Sequence, residues 1–397
     1  MPRQIHTIVM TILLAASITA CSTDNNILQT LKKNDEEWND VSTVDESVIM
    51  QTNKAEHLQE ETIEYLKKEH ENYYNYQHLE DEYKGIYVEM HYVISHMKTE
   101  YILTYCEPSL IDKIFNCMMN DHPEIFWCDG YSYSMNENNG TKYVKFSGTY
   151  TKTSEEREII QQNIDEITDK IIMNAPDSEY ERVKYVYEYL IGNTIYDTKA
   201  MESQNILSVL LYQHSVCQGY AKTIQYLLQK MSIEATLVNG SVHNDIPHAW
   251  NLIKINGNYY WLDATWGDSS YKIANYEQYG IEPKIDYYYL TMTSNQMLMD
   301  HKIDYLVSYP NCNSTADNYF VREGLYFYDV DYSKMHEIVS KAVEKGESAV
   351  VFQCQDVNCY KKMYTSLVVE KGIFDVIQSD NLLYETSDKK LNITIWF

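Results

Sequence analysis

The stretch SVCQGYAKTIQYLLQKMSIEATLVNGSVHNDIPHAWNLIKINGNYYWLDATWGD, Ser215 to Asp268, sets a cysteine, a histidine and an aspartate on three successive regular elements. After Cys217 the apolar residues Ala221, Ile224, Leu228 and Met231 recur at alternating steps of four and three, with Leu227 filling the stripe. That period predicts an amphipathic helix from Cys217 to Met231. Ser215 reads as its N-cap, which places Cys217 in the first turn. There the thiol meets backbone N–H groups without helical partners and the positive end of the helix dipole, a setting that favours a thiolate.

Two strands follow, His248 to Ile255 and Asn258 to Trp266, around Asn256-Gly257. Asn-Gly is a strong hairpin signal because both central positions of a type I′ turn need positive φ. With those two residues as the loop, Ile255 faces Asn258, Trp250 faces Asp263 and His248 faces Thr265. His248 and Asp263 then share a sheet face as diagonal neighbours, roughly 7–8 Å apart at the backbone and within side-chain reach. If the helix start packs across that face, sulfur, imidazole and carboxylate converge. The histidine takes the thiol proton and returns it to a leaving amine, and the carboxylate orients the ring. The Cys217 backbone N–H is a candidate oxyanion donor, with Gln213 and Trp250 as candidates for a second.

The run VCQGYA opening a helix, followed by HAWNLIKINGNYYWLDATW, resembles the core of the transglutaminase-like superfamily over roughly Ala175 to Tyr271. The resemblance implies a catalytic triad of Cys217, His248 and Asp263 and thiol chemistry on amides. It also implies an α+β fold, a papain-like core in which a cysteine at a helix N-terminus packs on an antiparallel sheet. Members of that superfamily cross-link, cleave peptides or deglycosylate, and some have lost activity, so the mechanism is better defined than the substrate.

Each residue taken alone has a plainer reading. A single helical cysteine is ordinarily a small buried hydrophobe and a single strand histidine a satisfied structural group. His214 and His243 are competing bases, but neither gains a carboxylate by register. Trp250, Trp261 and Trp266 read as core and cleft wall.

At the start of the chain, Arg3 precedes a thirteen-residue apolar run from Ile8 to Ala20. That is the pattern of a secretory signal over residues 1–20, too short to span a bilayer as a helix of about 20 residues. The ending Ile18-Thr19-Ala20-Cys21 resembles a bacterial lipobox, implying lipidation at Cys21 and an exported protein held on the extracytoplasmic face of the membrane. Residues 21–52 are mainly polar and acidic and suit a flexible tether. Residues 53–85 read as charged helix, in which His57, His70 and His78 are spaced 13 and 8 apart. No two of these fall on adjacent turns, so no metal site is expected.

Two smaller α/β domains are expected to flank the core at 175–300, one over 86–174 and one over 301–397. In the first, Tyr87 to Ser95 and Tyr101 to Tyr105 read as strands, Ser109 to Asn120 as helix, and Glu124 to Met135 with Lys142 to Tyr150 as a hairpin. In the second half, Asp286 to Thr291, Tyr319 to Tyr328 and Ser348 to Gln353 read as strands and Met335 to Lys345 as helix, and Tyr364 to Glu370 and Leu391 to Trp396 close the second domain.

The 397 residues carry a net charge of −26, which argues against nucleic acid as a partner. No phosphate loop, calcium loop or cofactor motif is present in the sequence, and no cofactor is expected. Besides Cys21 and Cys217 there are six cysteines, an even number that permits disulfides in an exported chain, Cys354 with Cys359 first among them. Two functions compete: a thiol enzyme on a protein or peptide substrate, cell-wall peptide included, with hydrolysis slightly preferred over cross-linking; or a catalytically silent surface module binding such material.

Overall fold

The computed structural model describes residues 8–12, 57–138, 140–243, 245–269, 285–377 and 383–397. Cys21 and the tether lie outside them, as does most of the apolar leader, of which Ile8–Ile12 form strand β1.

Helix α1 (Glu60–Glu69) is followed by α2 (Tyr74–His78) and α3 (Asp81–Ser95), so the charged stretch is divided at His70, where the α1 cap turns the chain. The strand expected at Tyr87 to Ser95 is helical. Its β-branched and aromatic residues argue for a strand, but Ile86, Tyr87, Met90, Val93 and Ile94 are all buried and recur at helical spacing, so burial on several sides of α3 outweighs propensity. After β2 (Tyr101–Leu103), α4 (Pro108–Asp121) leads to the hairpin of β3 (Cys128–Asn138) and β4 (Thr141–Tyr150), and these strands form one sheet in the order β1-β3-β4-β2. Two helices, α5 (Ser154–Met173) with its Thr153–Glu156 capping box and α6 (Glu179–Asn193) capped by Ser178, lead into the central region.

Short parallel strands β5 (Ile195–Tyr196) and β6 (His214–Ser215) precede α7 (Cys217–Lys230), which packs on the sheet β10-β7-β8-β9. That sheet comprises β7 (Ala235–Val242), β8 (Ile246–Ile255), β9 (Asn258–Leu262) and β10 (His301–Ile303), antiparallel throughout. The β8–β9 turn has φ of 49° at Asn256 and 82° at Gly257, and Ile255 pairs with Asn258 as the turn chemistry requires. Strand β9 ends at Leu262 rather than Trp266, because the Asp263 side chain caps the following helix α8 (Ala264–Gly267) by accepting the Trp266 N–H. Ser215 is not the α7 cap. It lies in β6 with its hydroxyl 2.7 Å from that of Ser208, and Val216 takes the N-cap position. Strand β10 joins this sheet one residue beyond the expected boundary at 300.

The C-terminal sheet runs β11-β12-β14-β13, from β11 (Tyr326–Phe327), β12 (Ala349–Cys354), β13 (Leu383–Ser387) and β14 (Asn392–Trp396), with α9 (Tyr332–Glu344) against it. Two expected strands differ: Asp286 to Thr291 holds none, and only Tyr326–Phe327 of the run Tyr319 to Tyr328 is a strand. Asp286 and Asn318 cap a 3₁₀ turn at Tyr287–Tyr289 and a helix at Tyr319–Arg322, and Thr365–Val369 is a π-helical turn. At the first two, a short polar side chain offers the backbone a local partner that the apolar alternation does not reveal.

One buried apolar cluster runs through the N-terminal helices and the central sheet, from Tyr74 to Phe320, and a separate one through the C-terminal sheet, from Phe327 to Ile395. The N-terminal region is fastened behind α7 by buried polar contacts. Asp121 accepts from the Asn75 N–H and side-chain amide, the Tyr76 N–H and the Tyr87 hydroxyl, while Gln225 on α7 donates to Asn120 O at 2.7 Å. Within the run from Asp121 to Tyr133 it is therefore the start, at Asp121, that meets the helix bearing Cys217, through its carbonyl and that of Asn120.

Candidate active site

Cys217 is the first residue of α7, so its backbone N–H is among those with no helical acceptor. The first turn is pressed against the preceding loop at Gly219, where a Cβ would lie 2.1 Å from Ser215 Oγ and 2.4 Å from Ser208 Oγ. The thiol packs with Ala221, Leu237 and Ala249 and is 1% exposed.

His248 sits on β8 opposite Gly240 of β7. A Cβ at Gly240 would lie 2.1 Å from Lys302 O and 2.6 Å from the Trp250 ring, so only glycine lets β10 and Trp250 close on the site. His248 Nε2 donates to Asp263 Oδ2 at 2.8 Å, which leaves Nδ1 free of the carboxylate, and Cys217 is close enough to act electrostatically on the ring. Burial opposes charge on this ring, but the Asp263 carboxylate and then Cys217 outweigh it, and the imidazole is pushed up to about 10. Asp263 is fully buried, yet the two histidines beside it hold its carboxyl well below the usual carboxylate range. The imidazole is therefore protonated at neutral pH, between an anion on one side and the sulfur on the other.

Asp263 makes more contacts than a two-residue orienter needs. Its Oδ2 also accepts from His301 Nε2 at 3.0 Å, and its Oδ1 accepts the Trp266 N–H at 3.1 Å. His301 is fully buried on β10, with Nδ1 3.2 Å from Met297 O and its ring 4.9 Å from Trp250 and 4.7 Å from Trp266. Hairpin register alone reaches only His248 and Asp263. His301 arrives through a long-range pairing, His301 against Val242, and no local spacing announces it.

The competing bases lie elsewhere. His214 is exposed and 3.5 Å from Asp197, and His243 is an exposed residue stacked on Trp266 at 5.0 Å. Gln213 is exposed in a left-handed turn (φ 58°) with its carbonyl bonded to Ile195 N–H, a placement set by the β5–β6 pair. The Trp250 indole N–H is buried without a hydrogen-bond partner among the described residues. Trp261 is tied into the core through Ser294 Oγ.

The Trp266 ring lies 5.8 Å from His248, and beyond it opens a cleft of about 1230 Å³ whose walls include His243, Trp266, Tyr287, Tyr319, Lys334 and Trp396. Trp266 and His243 line this cleft, and the Trp266 ring is also a neighbour of His248. The seven described cysteines are all free and buried, Cys354 and Cys359 included.

Residues 165–264 match the family model of the transglutaminase-like superfamily. The chain is 22% identical to the kyphoscoliosis peptidases of Mus musculus and Homo sapiens over 124 and 123 residues, 27% of this chain in each case. It spans only 19% and 18% of the length of those relatives. A solved structure of a TGase aligns over 45% of this chain and 56% of its own, at 13% identity and a TM-score of 0.26. The matched residues, 165 to 264, run through the helix bearing Cys217 and the hairpin bearing His248 and Asp263, so this segment is similar to the transglutaminase-like core.

Proposed function

We propose that the chain is a thiol enzyme acting on amide bonds through an acyl-enzyme at Cys217. The observation that carries this reading is one buried imidazole, His248, held by Asp263 at 2.8 Å and raised in pKa by Asp263 and Cys217 together. The Cys217 sulfur attacks the amide carbonyl and the backbone N–H at the start of α7 receives the developing oxyanion. His248 then passes its proton to the departing amine and the C–N bond breaks, leaving a thioester. Water, deprotonated by His248, releases a carboxylic acid and the free thiol; a primary amine in its place yields a new amide. Hydrolysis is slightly preferred, with a protein or peptide, cell-wall peptide included, as substrate. Export and a lipid anchor at Cys21 belong to the same proposal, and Cys21→Ser should move the protein from the membrane to the soluble fraction.

The enclosure of Cys217, at 1% exposure, favours a second reading in which the core is a silent binding module. One experiment separates the readings. The chain is incubated with a peptide library with and without a primary amine and followed by intact mass. The enzyme reading predicts a transient acyl adduct mapped to Cys217, absent in Cys217→Ala, and cleaved or amine-linked products. Binding without adduct or product would sustain the silent module instead.

A further inference from the structure

Three histidines that the proposed reaction does not use meet where α1, α3 and α4 converge. His70 closes the C-terminus of α1, His91 lies on α3, and His122 follows the last residue of α4. One ring nitrogen from each lies within 4.8 Å of the other two. His70 Nε2 is 3.0 Å from His91 Nδ1, and the His122 ring stacks on His91 at 4.1 Å and meets His70 edge-on at 5.2 Å. The opposite nitrogens are held by outer partners: His70 Nδ1 by Leu66 O at 2.7 Å, His91 Nε2 by Ser95 Oγ at 3.1 Å, and His122 Nδ1 by Glu124 Oε1 at 2.8 Å.

Hydrogen bonds alone leave this cluster incomplete. With its Nδ1 proton given to Leu66 O, His70 carries a lone pair on Nε2, and His91 must donate Nδ1–H into it. His122, donating to Glu124, is then left with a lone pair on Nε2, which is buried without a partner among the described residues; the residue is 2% exposed. A cation at the centre changes the balance. All three inner nitrogens become ligands, His91 donates Nε2–H to Ser95, and no nitrogen is orphaned.

We propose that His70 Nε2, His91 Nδ1 and His122 Nε2 bind a divalent transition-metal ion, zinc by preference, with solvent as the fourth ligand. Neutral imidazoles suit zinc, and tetrahedral Zn–N bonds of about 2.0–2.1 Å put ligand nitrogens roughly 3.3–3.4 Å apart, a spacing that the His70–His91 pair at 3.0 Å and the third nitrogen within 4.8 Å reach by small side-chain shifts. The Leu66 carbonyl, Ser95 and Glu124 are the kind of outer partners that fix the tautomers of metal-bound histidines. The ion would be structural. Helix α1 has no buried residue of its own, and His70 at its cap is 4% exposed, so the ion would staple α1 to α3 and α4. All three ligands lie outside the 165–264 match, so this site is independent of the thiol chemistry.

The test loads the full chain with Zn(II), removes loosely held ion by dialysis and measures metal by elemental analysis. It uses a Cys217→Ala, His301→Ala background, which disables His248, Asp263 and His301, the other described group able to hold a metal. The expected result is about one zinc per chain, falling at least tenfold in His122→Ala and in His70→Ala. Hydrogen exchange over 60–69 should slow when zinc is added. Because those variants could misfold, the Cys217→Ala, His301→Ala chain itself is also loaded with Co(II), and an absorption spectrum of tetrahedral nitrogen coordination without a thiolate charge-transfer band is expected. Less than a tenth of an equivalent of zinc in the folded background chain would overturn the proposal. So would stoichiometry unchanged in folded His122→Ala or His70→Ala, or a Co(II) spectrum dominated by thiolate.

Discussion

Asp263 answers to three donors at once, His248, His301 and the Trp266 N–H, and the behaviour of the site follows from that residue. Asp263→Asn keeps the size but presents an amide where two imidazoles expect an anion, and should lower turnover on the order of 10³-fold or more. His301→Gln tests a positioning role. Loss of one hydrogen bond to a charged group, about 1.5–3 kcal/mol, predicts a fall in kcat of roughly 10- to 150-fold with little change in KM and a shift of the acid limb of the pH profile toward higher pH, because His301 helps hold the Asp263 carboxyl down. A purely structural role would lower the melting temperature without moving the profile. The His248 imidazole rises to about 10 from an ordinary value of 6.5, so its stabilising contribution is complete below 6.5 and is lost as pH climbs through about 10. Asp263, held below its ordinary 3.8, contributes in the opposite sense: fully above that value and less as acid protonates it. Urea denaturation should therefore show a larger loss of midpoint between pH 7 and 10.5 for the unaltered chain than for His248→Gln. Equal losses would mean that the pair does not carry this charge.

Among the elements, α7 and the β8–β9 hairpin were legible because each states itself locally: a 3.6-residue apolar stripe after Cys217, and a turn at Asn256-Gly257 that admits one register. Elements were misread where a short polar side chain or multi-sided burial decided the outcome, at Asp263, Asp286, Asn318 and α3. His301 and the His70, His91 and His122 group were invisible for a different reason. Their partners are 38 residues away for His301 to Asp263 and 21 for His70 to His91, and spacing arguments confined to one helix, such as His57 with His70 and His78, compare the wrong residues. Two predictions belong to this scale. Gly240→Ala must displace Lys302 O or Trp250 and should cost about 1–3 kcal/mol in chemical denaturation, with slower reaction at Cys217 because the His248 strand shifts. Trp266→Ala removes the ring over His248, so alkylation of Cys217 by iodoacetamide should accelerate severalfold; an unchanged rate would show that the ring does not limit access.

For the whole molecule, the division of apolar cores matters more than the order of strands. The C-terminal cluster around Phe352 is separate from the one that supports the triad, and connections such as Lys390 to Asp286 at 2.6 Å and Lys184 to Glu323 at 2.8 Å are ion pairs at its border. Phe352→Ala should cost the C-terminal unit about 3–5 kcal/mol, seen as a transition displaced to lower temperature, while the Cys217 alkylation rate stays within twofold. Among the described residues no helix is long and apolar enough to cross a membrane, so the proposed membrane association rests on Cys21 alone. The central claim is that His248, held by Asp263, activates Cys217, and the second-order rate of Cys217 alkylation at pH 7, mapped by peptide mass, tests it most directly. The account predicts a rate well above that of the six other described cysteines, reduced at least tenfold in His248→Ala and in Asp263→Asn. A rate no faster than theirs, or one indifferent to both substitutions, would contradict it.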